Sequence, residues 1–415
     1  MFRTLVSLAL AFAFAAVALQ ASAREVLTLE RALALAEQHS PRLRVAIQQL
    51  EGARSGVVTA GQFPNPEVEA LGGRQNARMT GAPEGSVQSY GIAQPLELPS
   101  VRAPRIRSAE AGREAAEQGA TEARAALRAA VRQAYYDVLR RRGEHELAQE
   151  MQRVIDQIRR RIAAAVEVGE APRYELVRAD AEALSAANAA NSARLRVTQA
   201  VAALRAVVAA PLPADIEVVG DFAPARALPP VEVLREEMLA RNASLAQARA
   251  AVRRAEARLE SERALRTPQP VLRAGVEIEP DTNKFRVGVA IPLPVWNQRG
   301  GQVGEALAAF HEASAAAEAR RLDLVTELEN AYSRYQVASQ QIAAYEGGLL
   351  KQAENALRVA DAAYRFGERG FMEVLDAQRV LRTVRTELVA ARFEQQAALI
   401  EIERLRGADS ERTGS

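Results

Sequence analysis

Residues able to do ionic or catalytic chemistry are sparse outside the carboxylates. The 415-residue chain has no cysteine and three histidines, His39, His145 and His311, too far apart to form a metal-ligand motif. No glycine-rich phosphate loop and no nucleophile elbow occurs. The chain therefore reads as a non-enzyme, with no cofactor and no metal site. Acidic residues are the remaining candidates, and two stretches set them just beyond a break in a helix. They are "AAAVEVGEAPRYELVRADAEAL" at 163–184, with Gly169 and Pro172, and "AAYRFGERGFMEVLDAQRVL" at 362–381, with Gly367 and Gly370. After the second break Glu373 and Asp376 stand three apart, which places both on one helix face. Taken alone, such a pair is what any solvated helix face carries.

The elements that hold these breaks are drawn by proline. All 18 prolines lie at or before Pro294, and none falls between Pro104 and Pro172 or between Pro172 and Pro211. Proline disrupts helix interiors, so the gaps predict long helices near 105–168, 173–209, 301–366 and 371–406. Shorter helices are expected near 28–39, 42–62, 231–241 and 244–266. The order is an internal repeat. "GIAQPLELPSVRAPRIRSAEA" at 91–111 matches "GVAIPLPVWNQRGGQVGEALA" at 288–308. "AYYDVL" at 134–139 matches "AYSRYQ" at 331–336, and "VGEAPRYELVRADA" at 168–181 matches "FGERGFMEVLDAQR" at 366–379. Two halves are expected, at 24–209 and 231–407, joined by a linker at 210–230 and followed by a disordered tail at 408–415.

Each half also holds a strand pair. Leu272, Ala274, Val276 and Ile278 alternate with Arg273, Gly275, Glu277 and Glu279. Phe285, Val287, Val289 and Ile291 alternate with Lys284, Arg286, Gly288 and Ala290. Period-two alternation marks strands with one apolar and one polar face, here within 270–291. A weaker pair is expected within 66–95, near 66–74 and 87–95. There Val68, Ala70, Tyr90 and Ile92 oppose Glu67, Glu69, Ser89, Gly91 and Ala93.

Composition and length bound the rest. Aromatics are 5% and alanine is abundant, which suits long helical packing better than one bulky core. The 54 basic and 52 acidic residues give a net charge of +2, which argues against a nucleic-acid partner. The two longest predicted helices would run about 96 Å and 99 Å, and their return helices roughly 55 Å. Seams such as Leu147, Met151, Val154, Ile158, Ile162 and Val166, or Leu381, Val384, Leu388, Leu399, Ile402 and Leu405, predict coiled-coil pairing. Residues 1–23, with Arg3, an apolar run from Leu5 to Leu19 and Ala21-Ser22-Ala23, read as a secretory signal peptide cut before Arg24. Without cysteine, lipidation at a mature N-terminal cysteine is excluded.

Four strands cannot close into a barrel, and lipid does not tolerate an open sheet edge. The expected solution is that three chains contribute four strands each. They would form a twelve-stranded barrel continued by a helical tunnel, anchored in a bacterial outer membrane and reaching into the periplasm. The competing expectation is a structural periplasmic coiled-coil spacer or adaptor without a pore. Such a spacer has no use for strand pairs with an apolar face.

Over the mature chain, from "TLERALALAEQHSPRL" at 28–43 to "IEIERLRG" at 400–407, the sequence resembles the TolC-like outer membrane efflux family. "AGQFPNPEVE" at 60–69, "QPLELPSVRAPRI" and "IPLPVWNQRGGQV" are similar to its helix–barrel junctions, most of all to those of the heavy-metal cation-efflux branch. The resemblance implies a homotrimeric channel-tunnel fed by an inner-membrane pump, of the resistance–nodulation–division type, through a periplasmic adaptor. A type I secretion duct is the neighbouring alternative. It also implies that the two breaks are tight turns at the ends of helical hairpins, converging on the tunnel axis. Glu373 and Asp376 would then ring the periplasmic aperture, six carboxylates in three copies, attracting cations and raising one another's pKa. Tyr364 and Arg369 would bridge between hairpins, with Glu175 as the acidic partner. Tyr174 departs from the smaller polar residue familiar there.

Overall fold

The computed structural model describes residues 25–76, 78–213, 216–222 and 226–407. The expected signal peptide and C-terminal tail lie outside them. Among the described residues no helix is long and apolar enough to cross a membrane. The chain divides into two compact units that cut across the sequence halves. One comprises 42–123 and 236–326; the other draws on 1–41, 124–235 and 327–415.

The helices are α1 (Leu29–His39), α2 (Pro41–Gly61), α3 (Pro99–Glu167), α4 (Arg173–Val208), α5 (Val231–Arg241), α6 (Ala243–Ala264), α7 (Gly300–Ala344), α8 (Leu350–Arg365) and α9 (Phe371–Arg406). The strands are β1 (Glu25–Leu27), β2 (Glu67–Gln75), β3 (Gly85–Pro95), β4 (Ile216–Val218), β5 (Val271–Ile278) and β6 (Asn283–Ala290). Each half begins with a short helix and a sharp restart. Asn242 caps α6, its side chain accepting a hydrogen bond from Leu245 N at 3.0 Å, and Pro41 takes the first position of α2, where its missing N–H costs nothing.

In the first unit, β2-β3-β5-β6 form a four-stranded antiparallel sheet. The strand pair of one half joins that of the other through β3 and β5, with Tyr90 opposite Val276 and Ile92 opposite Ala274. The register puts Val68, Ala70, Tyr90, Ile92, Leu272, Val276, Phe285, Val287 and Val289 on one face. Glu67, Glu69, Ser89, Arg273, Glu277, Lys284 and Arg286 line the other, and Arg286 pairs with Glu277 at 2.8 Å. The apolar face is open to solvent: Phe285 is 73% and Val287 63% exposed. Both outer strands, β2 and β6, keep an unpaired edge within the chain.

Arginines fix the joints between sheet and helices. Arg102 and Arg105 on α3 donate to the carbonyls of Gly61 (2.6 Å), Ala60 (3.1 Å) and Gln62 (3.1 Å), capping the C-terminal end of α2. Cations suit that end, where the last carbonyls lack helical partners. In the second half Arg299, 197 positions after Arg102, pairs with Glu262 of α6 at 2.5 Å. Pro104 lies inside α3, which begins six residues before the expected start. One ring in the second turn removes a single hydrogen bond there and leaves the helix intact.

The second unit carries features that the sequence reading missed. β1 and β4 pair in parallel, so the linker at 210–230 contains a strand. The buried Tyr135 hydroxyl lies 3.0 Å from Leu27 O and 2.5 Å from Val219 O, holding both strands to α3. Burial, then the charge of Glu30, pushes the Tyr135 phenol up to about 12. A folded-state pKa above the unfolded one adds stability below pH 10 that is lost as pH rises towards 12. Tyr135→Phe should therefore reduce the alkaline loss by up to about 2–3 kcal/mol, read from urea unfolding between pH 9 and 12.

The expected helix at 301–366 is not continuous. Tyr345–Leu349 forms a π-helical turn between α7 and α8, where Gly348 leaves helical geometry (φ 172°, ψ −34°). The adjacent glycines Gly347 and Gly348 permit the break. Two contacts from α9 bracket it: Tyr345 donates to Glu387 at 2.9 Å, and Arg392 pairs with Glu346 at 2.7 Å. The first long helix, α3, has no such interruption.

Candidate functional site at the hairpin ends

The two breaks fold as the same turn. After α3, Glu170 N donates to Ala165 O at 2.8 Å and Gly169 takes φ 83°. After α8, Glu368 N donates to Ala363 O at 2.9 Å and Gly367 takes φ 71°. A left-handed glycine just past the last turn, with an amide reaching back five residues, is a Schellman closure. Pro172 and Gly370 then start the return helices from extended backbone (φ −74° and −79°). Only Gly169 and Gly367 need glycine for their backbone; Gly370 does not. Gly367→Ala is expected to cost about 1 kcal/mol and Gly370→Ala less than about half of that, checked by thermal unfolding.

Behind the turns the two hairpins share one apolar core. Phe371, Val374 and Leu375 of α9 pack with Met151, Ile155, Ile158 and Ile162 of α3 and with Ala179 and Ala186 of α4. Most of the predicted seam is here, together with Ile155, which the seam omitted. Leu375 is fully buried, so Leu375→Ala should destabilise this end by about 2–5 kcal/mol, measured by denaturant unfolding and by faster proteolysis near residues 165–175 and 365–375. Around the core, Arg379 joins Asp376 on its own helix (3.5 Å) to Glu182 on α4, and Arg385 joins Glu150 on α3 (3.1 Å) to Glu354 on α8 (3.2 Å). Sequence reasoning missed Arg379 and Arg385, whose partners across the hairpins lie 197 and 235 positions away.

The predicted residues separate into two groups. Tyr364 is half-buried against this core, its ring 6.3 Å from that of Phe371. Burial raises its pKa first, and the carboxylate of Glu175 from the other hairpin raises it further, against the opposing charge of Arg161. Glu175 is thus close enough for its charge to act on Tyr364 across the hairpins. Arg369 is not part of that set within one chain. It donates to Glu373 at 2.8 Å, four residues on, because the turn points it along its own return helix. Glu373 and Asp376 sit in the first two turns of α9 with side chains 47% and 66% exposed, facing water rather than the core. Among the described residues no group of three or more His, Asp or Glu side chains is placed to hold a metal ion.

Comparison with known proteins follows the same outline. The family model "Outer membrane efflux protein" matches residues 32–210 and again 234–408. The cobalt-zinc-cadmium resistance protein CzcC of Cupriavidus metallidurans is 26% identical over 385 residues, 92% of this chain and 90% of that one. Among solved structures, the outer-membrane channel OprN superposes with a TM-score of 0.80 at 18% identity, covering 91% of this chain and 89% of that one. The outer membrane protein VceC of Vibrio cholerae gives 0.79 at 20%, covering 91% and 96%.

Proposed function

Because the chain belongs to the outer membrane efflux protein family, we propose that it is the outer-membrane conduit of a tripartite exporter for divalent transition-metal cations, working as a homotrimer. The observation that carries this reading is the sheet. It has an exposed apolar face, a charged opposite face and two unpaired edges, a combination stable only where lipid covers the first, water fills the second and further strands meet the edges. Three copies supply twelve strands, a closed barrel with the charged face inward. The four helix–strand junctions all lie at one end of the sheet, so the helices extend to one side of the membrane, the periplasm. Glu373 and Asp376, brought together at the hairpin ends, form the acidic ring through which cargo enters. A passive duct needs an energised inner-membrane pump and a periplasmic adaptor, and the two-hairpin ends are the surface offered to that adaptor.

The cation assignment is supported by the likeness to the cobalt-zinc-cadmium resistance protein and by the carboxylates at the ends. The test is deletion of the gene with a susceptibility panel of cobalt, zinc, cadmium, copper and organic dyes. Sensitisation to the divalent metals alone is expected, and sensitisation confined to dyes overturns the cargo assignment. Single-channel recording of the purified protein in planar bilayers tests the duct itself, and a water-soluble monomer without conductance overturns it.

A further inference from the structure

We propose that the segment Ile291–Trp296, just past β6, is an interfacial anchor that seats in the phospholipid headgroup–acyl boundary of the periplasmic leaflet, with Trp296 as its fixing residue. The inference rests on the reading that the sheet spans the outer membrane. The apolar column of β6 does not stop where strand pairing stops. Phe285, Val287 and Val289 are followed at the same two-residue interval by Ile291, Leu293 and Val295, which are 56%, 73% and 62% exposed. Trp296 closes the run and is 95% exposed. The apolar run of β6 thus continues in sequence past its last paired residue, and among the described residues these side chains stay largely exposed.

Three further observations choose lipid over a second protein surface. First, the segment stands beside Leu265, Thr267 and Pro268, between the end of α6 and the start of β5, so it lies at the helix end of the sheet, where the acyl layer gives way to headgroups. Second, Pro292 and Pro294 have no N–H, and Val295 N donates to Leu293 O at 2.9 Å. Of the six backbone nitrogens two carry no hydrogen and one donates within the segment, which lowers the cost of partial burial and prevents the segment from extending a strand ladder to another chain. Third, Asn297, Gln298 and Arg299 follow at once, and Arg299 is tied back to Glu262. The apolar-to-polar change within a few residues matches the gradient of the interface, where the amphipathic indole ring is favoured.

Trp296 is the only tryptophan in the chain, so its fluorescence reports this position without substitution. The full-length protein is reconstituted in phosphatidylethanolamine–phosphatidylglycerol vesicles doped with lipids brominated at shallow or deep acyl positions, and the same preparation is fused to planar bilayers for conductance. The expected result is emission blue-shifted from that of free tryptophan and quenched about twofold or more by shallow bromines, with weaker quenching by deep ones. Emission that ignores both bromolipids but responds to acrylamide places the ring in water and overturns the anchor. Blue emission insensitive to bromolipid and acrylamide alike means that protein covers it, and also overturns the anchor. Either of those results with normal conductance leaves the channel reading standing; unquenched emission with no conductance removes the premise as well.

Discussion

Val287→Arg should abolish membrane-inserted, detergent-resistant trimer, while the neighbouring Gly288→Arg leaves it formed. The two positions are consecutive on β6 and project from opposite faces of the sheet, Val287 opposite Ala274 and Gly288 opposite Arg273. Val287 is exposed on the apolar face, and nothing lies within 4 Å of a Cβ built on Gly288, so neither substitution meets a steric obstacle within the chain. A cationic side chain on the lipid face of a barrel costs about 2–4 kcal/mol near the bilayer midplane. Three copies would carry that cost at once, whereas the same charge on the lumen side stays hydrated. Semi-native gel electrophoresis of outer-membrane fractions gives the readout. Equal loss of trimer in both variants would show that the faces are not divided between lipid and water.

The second large effect is expected at the hairpin ends. On the proposed placement, Glu373→Ala with Asp376→Ala would remove six carboxylates from a trimeric aperture. Rings of one charge in a narrow passage concentrate counter-ions, so cation-over-anion permeability should fall about tenfold towards non-selective conduction. Reversal potentials under a salt gradient measure this directly. Neither acid is packed into the Phe371–Leu375 core, so the fold should survive and unfolding midpoints should match those of the parent. Arg369 complicates the reading, since its ion pair masks Glu373 in the single chain. Arg369→Ala is the useful companion: freeing Glu373 should raise cation preference, the reverse of the double variant. An unchanged reversal potential in both variants would place these acids away from the axis.

Most of the architecture was legible because it rests on periodicity. Alternation at 271–290 marked β5 and β6 to within a residue or two, and the 198-residue offset between Gly169 and Gly367 disclosed two equivalent turns. The strand pairing within each half joins runs that are neighbours in sequence, as the two expected strand pairs were. The joining of β3 to β5 did not, because nothing local in "SYGIAQP" names a partner 186 positions away. Arg379 and Arg385 were invisible for the same reason: arginines are common on every exposed helix face here, and only packing shows which of them cross between hairpins. β1 and β4 span three residues each, too short for alternation to register. The break at Gly347–Gly348 did carry a local signal, two adjacent glycines in an otherwise helical stretch, but the absence of proline outweighed it. Pro104 misled in the opposite direction, since a proline in the second turn is tolerated.

The β3–β5 pairing has a consequence for how the molecule is made. Tyr90 must wait for Val276, its partner 186 positions later. At about 5–20 residues per second of synthesis, that delay is about 10–40 s. Throughout it, the amino-terminal ribbon is an adhesive surface with neither its neighbour nor a bilayer to occupy it, while the intervening coils can already wind. Biogenesis therefore includes an interval in which the amino-terminal ribbon waits, with the β3 edge unpaired, for β5 to be made.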